Sequence, residues 1–193
     1  MANIERLRDF VAQVTRTVEK HEEDEAVTLA ALRPVLHDLL QDVDFLPTAY
    51  TQPHLHHYQQ YLLYGDPLDR FSIVSFVWGP GQKTPIHNHR VWGLVGVWRG
   101  VELSTAYRMQ NGRLVPAPTQ RLESGEIEAV SPRIGDIHQI ANGYDDQVSI
   151  SIHIYGGNIG RIQREVFAPE TGEAKSFISS YAPYPTPNLW VEA

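Results

Sequence analysis

Cysteine is absent from the 193 residues, and its absence removes disulfides, thiolate metal sites and a cysteine nucleophile at once. Any metal must therefore be held by histidine, carboxylate or backbone oxygen. Basic residues are scarce as well: 16 Lys and Arg stand against 23 Asp and Glu, a formal charge of -7. They form no cluster, so a nucleic-acid partner is not expected, because phosphate recognition needs a concentrated positive face. Apolar runs of bilayer-spanning length are lacking, and the opening MANIERLRDFVAQV carries charge throughout, without the apolar stretch and cleavage site of a secretion signal. The expectation is a cytoplasmic protein with no membrane partner.

What the chain does contain is periodicity of two kinds. Ile4, Leu7, Phe10, Val11, Val14 and Val18 recur at helical spacing, as do Leu29, Leu32, Val35, Leu36, Leu39 and Leu40. Pro34 falls inside the second pattern and is read as lying within its first turn or so, where a missing N–H does least harm. After residue 57 the chain turns to short runs rich in Val, Ile, Tyr and Trp, such as FSIVSFVW, VWGLVGVW and QVSISIHIY, separated by Gly, Pro, Asn and Asp. That is the pattern of an antiparallel sandwich or barrel. Asn111-Gly112 marks a hairpin between 101–109 and 113–118. The expected organisation is one domain over 1–193: two or three N-terminal helices in 1–45, packed on a mainly β barrel over 58–170, with a proline-rich tail over 171–193 laid across it.

Chemistry concentrates in the histidines. PIHNHRVWG places His87 and His89 one residue apart, and on a strand the side chains at i and i+2 share a face. Two imidazoles can thus meet at one point, although the same triplet also fits a polar turn. His138 follows in SPRIGDIHQIAN, while His54, His56 and His57 in PHLHHY read as a surface cluster between helix and barrel. Gly81, His87, His89 and Gly100 match the first cupin motif, and Pro132, Gly135, His138 and Asn142 match P-x-G-x2-H-x3-N of the second. With both motifs in order the chain resembles a cupin. The resemblance implies a jelly-roll-like, double-stranded β-barrel with His87, His89 and His138 as metal ligands near one mouth. The glutamate that many cupins place shortly after the second histidine is missing, and Trp92 and Gly93 occupy that region. Three neutral donors leave coordination positions open, as a catalytic site requires and a structural one does not.

QVSISIHIYGG alternates strictly, with Ser149, Ser151, His153 and Tyr155 on one face and Ile150, Ile152 and Ile154 on the other. Alternation alone fits solvent on the polar side; a cavity there would instead make Ser151, His153 and Tyr155 a hydrogen-bonded relay ending in a phenol. Together with HNH and GDIH, this S-x-H-x-Y strand resembles that of the thiol dioxygenases, the cysteine dioxygenase family and its bacterial 3-mercaptopropionate relatives. The resemblance implies Fe(II) as cofactor, a small thiol and O2 as partners, Ser151, His153 and Tyr155 as the catalytic relay, and oxidation of the thiol to its sulfinic acid. Ferrous iron held by three neutral ligands keeps its full charge, which favours a thiolate. In animal cysteine dioxygenases an arginine pairs with the substrate carboxylate and a cysteine is crosslinked to the tyrosine. Here Gln60 takes the arginine's place in YQQYLLY, and Tyr155 has no cysteine to bond. This is similar to the mercaptopropionate type, which implies Gln60, Tyr155 and a later arginine, Arg164 ahead of Arg161, as substrate contacts. Cysteine dioxygenation, a non-catalytic metal-binding sensor and a zinc or nickel cupin hydrolase or isomerase are the alternatives; oligomeric state is left open.

Overall fold

The computed structural model describes residues 3–21 and 23–190, so the outermost parts of the expected helical segment and tail, 1–2 and 191–193, lie outside the described residues. Two helices come first. α1 (Ile4–His21) buries Ile4, Leu7, Phe10, Val11, Val14 and Val18, the stripe read from the sequence. α2 (Glu25–Leu40) starts earlier than its apolar pattern suggested, because the Asp24 carboxylate accepts from the Val27 N–H at 3.1 Å and caps the first turn. Pro34 therefore sits in the interior of α2 rather than in its first turn. The helix runs through it, forgoing one backbone hydrogen bond, while Leu32, Leu36, Leu39 and Leu40 hold it to the core from either side.

The strands follow as β1 (Gln59–Gly65), β2 (Ser72–Trp78), β3 (Ile86–His87), β4 (Gly93–Arg99), β5 (Val101–Gln110), β6 (Arg113–Pro116), β7 (Gln120–Glu123), β8 (Ile127–Val130), β9 (His138–Asn142), β10 (Ser149–Tyr155), β11 (Arg164–Phe167) and β12 (Ala174–Phe177). Their pairing is antiparallel and builds two sheets, one ordered β1-β2-β10-β4-β8 and the other β12-β11-β3-β9-β5-β6 with β7 also on β5. Early and late strands interleave within each sheet, so the chain crosses repeatedly between the two, as in a double-stranded β-helix. The expected double-stranded, jelly-roll-like barrel takes the form of two facing sheets that do not join into one ladder. Two of their edges are covered by other segments instead: the tail donates from the Ala182 N–H to the Gln60 carbonyl on β1 at 2.9 Å, and Arg33 of α2 donates to the Ile127 carbonyl on β8 at 2.8 Å. The Asn111-Gly112 turn joins β5 to β6 as expected, with both residues at positive φ.

The helices lie on the outer face of the first sheet. Ile150, Ile152 and Ile154 of β10 share one apolar core with the buried stripes of α1 and α2. Gly96 on β4 marks the closest approach, since a Cβ there would stand 2.7 Å from Leu40 and 3.0 Å from Leu36. Because side chains alternate, the same packing turns Ser149, Ser151, His153 and Tyr155 to the inner face, where all four are buried. Among the described residues no helix is long and apolar enough to cross a membrane.

Candidate metal centre

His87 ends β3 and His138 opens β9, directly opposite it in the ladder. His89 lies beyond the end of its strand, a departure from the expectation of two imidazoles on one continuous strand. Side-chain anchors take the place of the ladder. Asn88 between the two histidines turns away and grips β11, donating to Glu165 Oε2 at 2.8 Å while its Oδ1 accepts from the Glu165 N–H at 2.8 Å. Asp136, the aspartate of GDIH, accepts from the backbone N–H of His89 at 3.0 Å and of Arg90 at 2.9 Å, holding Arg90 at a φ of 61°. The same carboxylate accepts from His89 Nδ1 at 3.0 Å.

Three imidazoles result, with ring centroids 4.7 to 4.9 Å apart and one ligating nitrogen from each within 4.8 Å of the others. Two of the Nδ1 atoms meet an oxygen, the Pro85 carbonyl at 3.1 Å from His87 and Asp136 from His89, while His138 Nδ1 makes no hydrogen bond and has the Glu128 carboxylate 3.9 Å away. For His87 and His89 this leaves Nε2 as the ligand atom, and outer oxygens that fix the ring in this way are typical of metal-binding histidines. Burial lowers His87 and His89 well below the ordinary histidine value, and the neighbouring imidazoles add to the effect. Both are therefore neutral bases ready to donate. His89 Nε2 is buried without a hydrogen-bond partner, a costly state that a bound cation relieves. The donor set fits a divalent first-row metal held by three nitrogens.

Glu128 and Asp136 were not read from the sequence as part of the site. Burial acts to raise the Glu128 carboxyl, but His138 and Ser104 outweigh it and bring it below the usual range; Ser104 donates to it at 2.7 Å. Nothing local in the sequence marks Glu128; Asp136 is marked by its place in GDIH.

The inner row of β10 faces the same space. Ser151 Oγ and His153 Nε2 are 2.7 Å apart, and His153 Nδ1 and Tyr155 Oη are 2.7 Å apart. Trp78 Nε1 donates to Ser151 Oγ at 3.3 Å. Phe76 stacks on His153 with centroids 4.2 Å apart, and Tyr155 stacks on His89 at 5.4 Å. Burial raises the Tyr155 phenol, with Arg164 pulling the other way. Gly93, in the region where the absent glutamate was sought, has another use: a Cβ there would stand 2.8 Å from the Tyr155 ring.

These groups line a chamber of about 20 Å³ that includes His87, His138, His153, Tyr155, Gln60 and Arg164. Outside it lies a bowl of about 820 Å³ that shares Tyr58, Gln60, Pro85 and Phe177 with the chamber and is walled by residues 178–184 of the tail. Arg164 is 4% exposed and its hydrogen bonds go to neutral oxygens, Ser179 Oγ at 2.7 Å and the Asn88 carbonyl at 3.5 Å, while its Nε has no partner. Arg161 is exposed on the surface. Gln60 meets the same tail segment, donating to Ser179 Oγ at 3.2 Å and to the Ser180 carbonyl at 2.7 Å. His54, His56 and His57 are exposed, with His54 and His57 lining the outer bowl.

The interleaved strand order of the two facing sheets is that of a double-stranded β-helix. No family model matches the sequence. Among solved structures the chain is similar to a conserved protein with a double-stranded β-helix domain from Klebsiella pneumoniae, at 17% identity over 69% of this chain and 88% of that one, TM-score 0.43. An RmlC-like cupin protein from Desulfovibrio desulfuricans matches at 18% identity over 55% and 88%, TM-score 0.40. An oxalate oxidase in complex with the substrate analogue glycolate matches at 14% identity over 61% and 60%, TM-score 0.47. The chemistry of this chain rests on its own side chains.

Proposed function

We propose that the protein is an iron(II)-dependent thiol dioxygenase that converts a small thiol carboxylate, 3-mercaptopropionate before cysteine, to its sulfinic acid. The observation that carries this reading is the company kept around one chamber: a cluster of three histidines, two of them lining it, a phenol at the end of a hydrogen-bonded chain, and a buried guanidinium with no carboxylate among its hydrogen-bond partners. Ferrous iron, when bound by His87, His89 and His138, supplies the open positions at which a thiolate and O2 are brought together. Both atoms of O2 end on sulfur, and the thiol proton is released.

Arg164 offers the charge that an anionic substrate needs, with Ser179 Oγ standing where a carboxylate oxygen would be received. Gln60 adds a neutral donor to the same point. Tyr155 is stacked on the His89 ring, and its raised pKa keeps it a phenol rather than a phenolate at neutral pH. The chamber has room for about one or two waters, so a thiol enters from the outer bowl as Gln60, Phe177 and the 178–184 segment give way.

The test is oxygen uptake by the iron-loaded protein with 3-mercaptopropionate, cysteine and cysteamine in turn, with the sulfinate identified by mass spectrometry. Preference for 3-mercaptopropionate is expected, because Arg164 and Gln60 answer a carboxylate while no carboxylate is among the described residues that line the chamber to meet an amine. Preference for cysteine would make this a cysteine dioxygenase. No uptake with any thiol, despite bound iron, would leave a metal-binding sensor.

A further inference from the structure

Arg164 opens β11 with its guanidinium buried and lying over the Phe177 ring at 4.7 Å. Its Nη1 donates to the Asn88 carbonyl at 3.5 Å, its Nη2 donates to Ser179 Oγ at 2.7 Å, and its Nε has no partner. Nε and Nη2 form one edge of the guanidinium, and such an edge grips a carboxylate through two parallel hydrogen bonds. Here a neutral hydroxyl takes one prong of that fork and the other has no acceptor. A buried cation in such company is penalised by lost hydration, and an anion at the same edge relieves it.

Ser179 reaches this edge on a short span between two anchored ends. Before it, Phe177 of β12 is paired with Arg164 itself. After it, Tyr181 Oη accepts from the Gly160 N–H at 3.0 Å and donates to Asn158 Oδ1 at 2.8 Å, and the Ala182 N–H donates to the Gln60 carbonyl at 2.9 Å. Between the ends Ile178 is exposed, and Ser180 takes a φ of 60°, a left-handed conformation that costs a serine energy. Gln60 helps to keep it there, its Nε2 donating to the Ser180 carbonyl at 2.7 Å and to Ser179 Oγ at 3.2 Å, while the Ser180 N–H donates to the Gly160 carbonyl at 3.0 Å. Ser179 and Ser180 wall the outer bowl and Arg164 lines the chamber, so the span stands where the two meet.

We propose that Ser179 is a place-holder for a carboxylate, and that residues 178–180 are a latch opened when an anionic ligand takes Ser179's place on Arg164. The inference rests on the reading of the chamber as the seat of a small thiol carboxylate, and it adds a means of selection to that reading. A carboxylate fills both prongs of the Arg164 edge and brings the opposite charge, whereas a hydroxyl or an amide oxygen fills one and brings none. Once displaced, Ser179 no longer ties the span to Arg164, Ser180 relaxes from its left-handed conformation, and the wall between bowl and chamber parts. A thiol without an anion meets the wall closed, and one carrying an ammonium group is repelled by Arg164 as well. The choice between 3-mercaptopropionate and cysteamine is then made before sulfur reaches the three histidines.

Propionate, which has the carboxylate and no thiol, tests the latch without turnover, on the full chain with no metal added to compete for the anion. Hydrogen exchange read by mass spectrometry should quicken over residues 178–184 in propionate and not in propionamide, its neutral isostere; the Ser180 amide on the Gly160 carbonyl is the reporter. Calorimetric titration supplies a sign that decides the role of the hydroxyl. A place-holder competes with the ligand, so Ser179→Ala should bind propionate roughly tenfold more tightly, with fast exchange over 178–184 before any is added. Ser179→Thr keeps the hydroxyl and should behave as the native protein does. Weaker or unaltered binding in Ser179→Ala, or a native segment that exchanges alike in propionate and propionamide, overturns the proposal. Oxygen uptake by the iron-loaded protein is scored separately. Release by propionate with no uptake from any thiol would keep the latch and remove thiol oxidation, and uptake of 3-mercaptopropionate without release would do the reverse.

Discussion

At the scale of single residues, the site divides into three histidines that could hold a metal and a hydrogen-bonded chain proposed to move a proton, and substitution should separate them. His89→Ala removes the ligand whose Nε2 has no other partner, and calorimetric titration should show no tight iron or zinc binding. Asp136→Asn leaves all three nitrogens in place but weakens the acceptor that orients His89; metal affinity should fall about 10- to 100-fold. Tyr155→Phe should bind iron as the native protein does and lose on the order of 100-fold in turnover, so full activity in this variant would remove the chain from the reaction. His87, His89 and His138 were legible in the sequence because two spaced motifs carry them. Glu128 was not, because its significance appears only when β8 is brought against β9, and nothing local announces that meeting.

Among elements, β10 is the pivot. Its alternation was legible, yet alternation does not say which face is inside; the answer came from α1 and α2, whose apolar stripes cover the isoleucine side. The short strands β3, β7, β11 and β12 carry too few apolar residues to show a period, and β11 was therefore missed although it bears Arg164. β4 passes between these layers on two glycines that face opposite ways. Gly93→Ala pushes a methyl group into the Tyr155 ring, whereas Gly96→Ala pushes one into Leu36 and Leu40. The first should lower turnover with little change in thermal midpoint; the second should lower the midpoint by several degrees with metal affinity retained. Thermal denaturation beside oxygen uptake distinguishes the two, and equal effects from both would mean that the sheet does not insulate the chamber from the helices.

For the whole molecule, buried ionisable groups give stability a pH dependence of two signs. His153 is held well below the ordinary histidine value of 6.5 by burial, so it contributes stability above that pH that is lost as the pH falls. Glu102 is shifted the other way, from an ordinary 4.5 to about 8, so its contribution is complete below 4.5 and drains away as the pH climbs to 8. Glu102→Gln should accordingly gain on the native protein across that interval, by up to on the order of 4 kcal/mol; a constant difference in denaturant midpoint would mean that Glu102 ionises normally. Zinc or iron, binding the folded state alone, should raise the thermal midpoint in proportion to the logarithm of its concentration. The place of β10 in this whole has a consequence for solvent deuterium. It lies inside the first sheet, laddered to β2 on one side and β4 on the other, beneath a layer of helix, so its amides exchange only when the entire domain opens. The strand proposed to hand protons to a substrate is the last part of the chain to surrender its own.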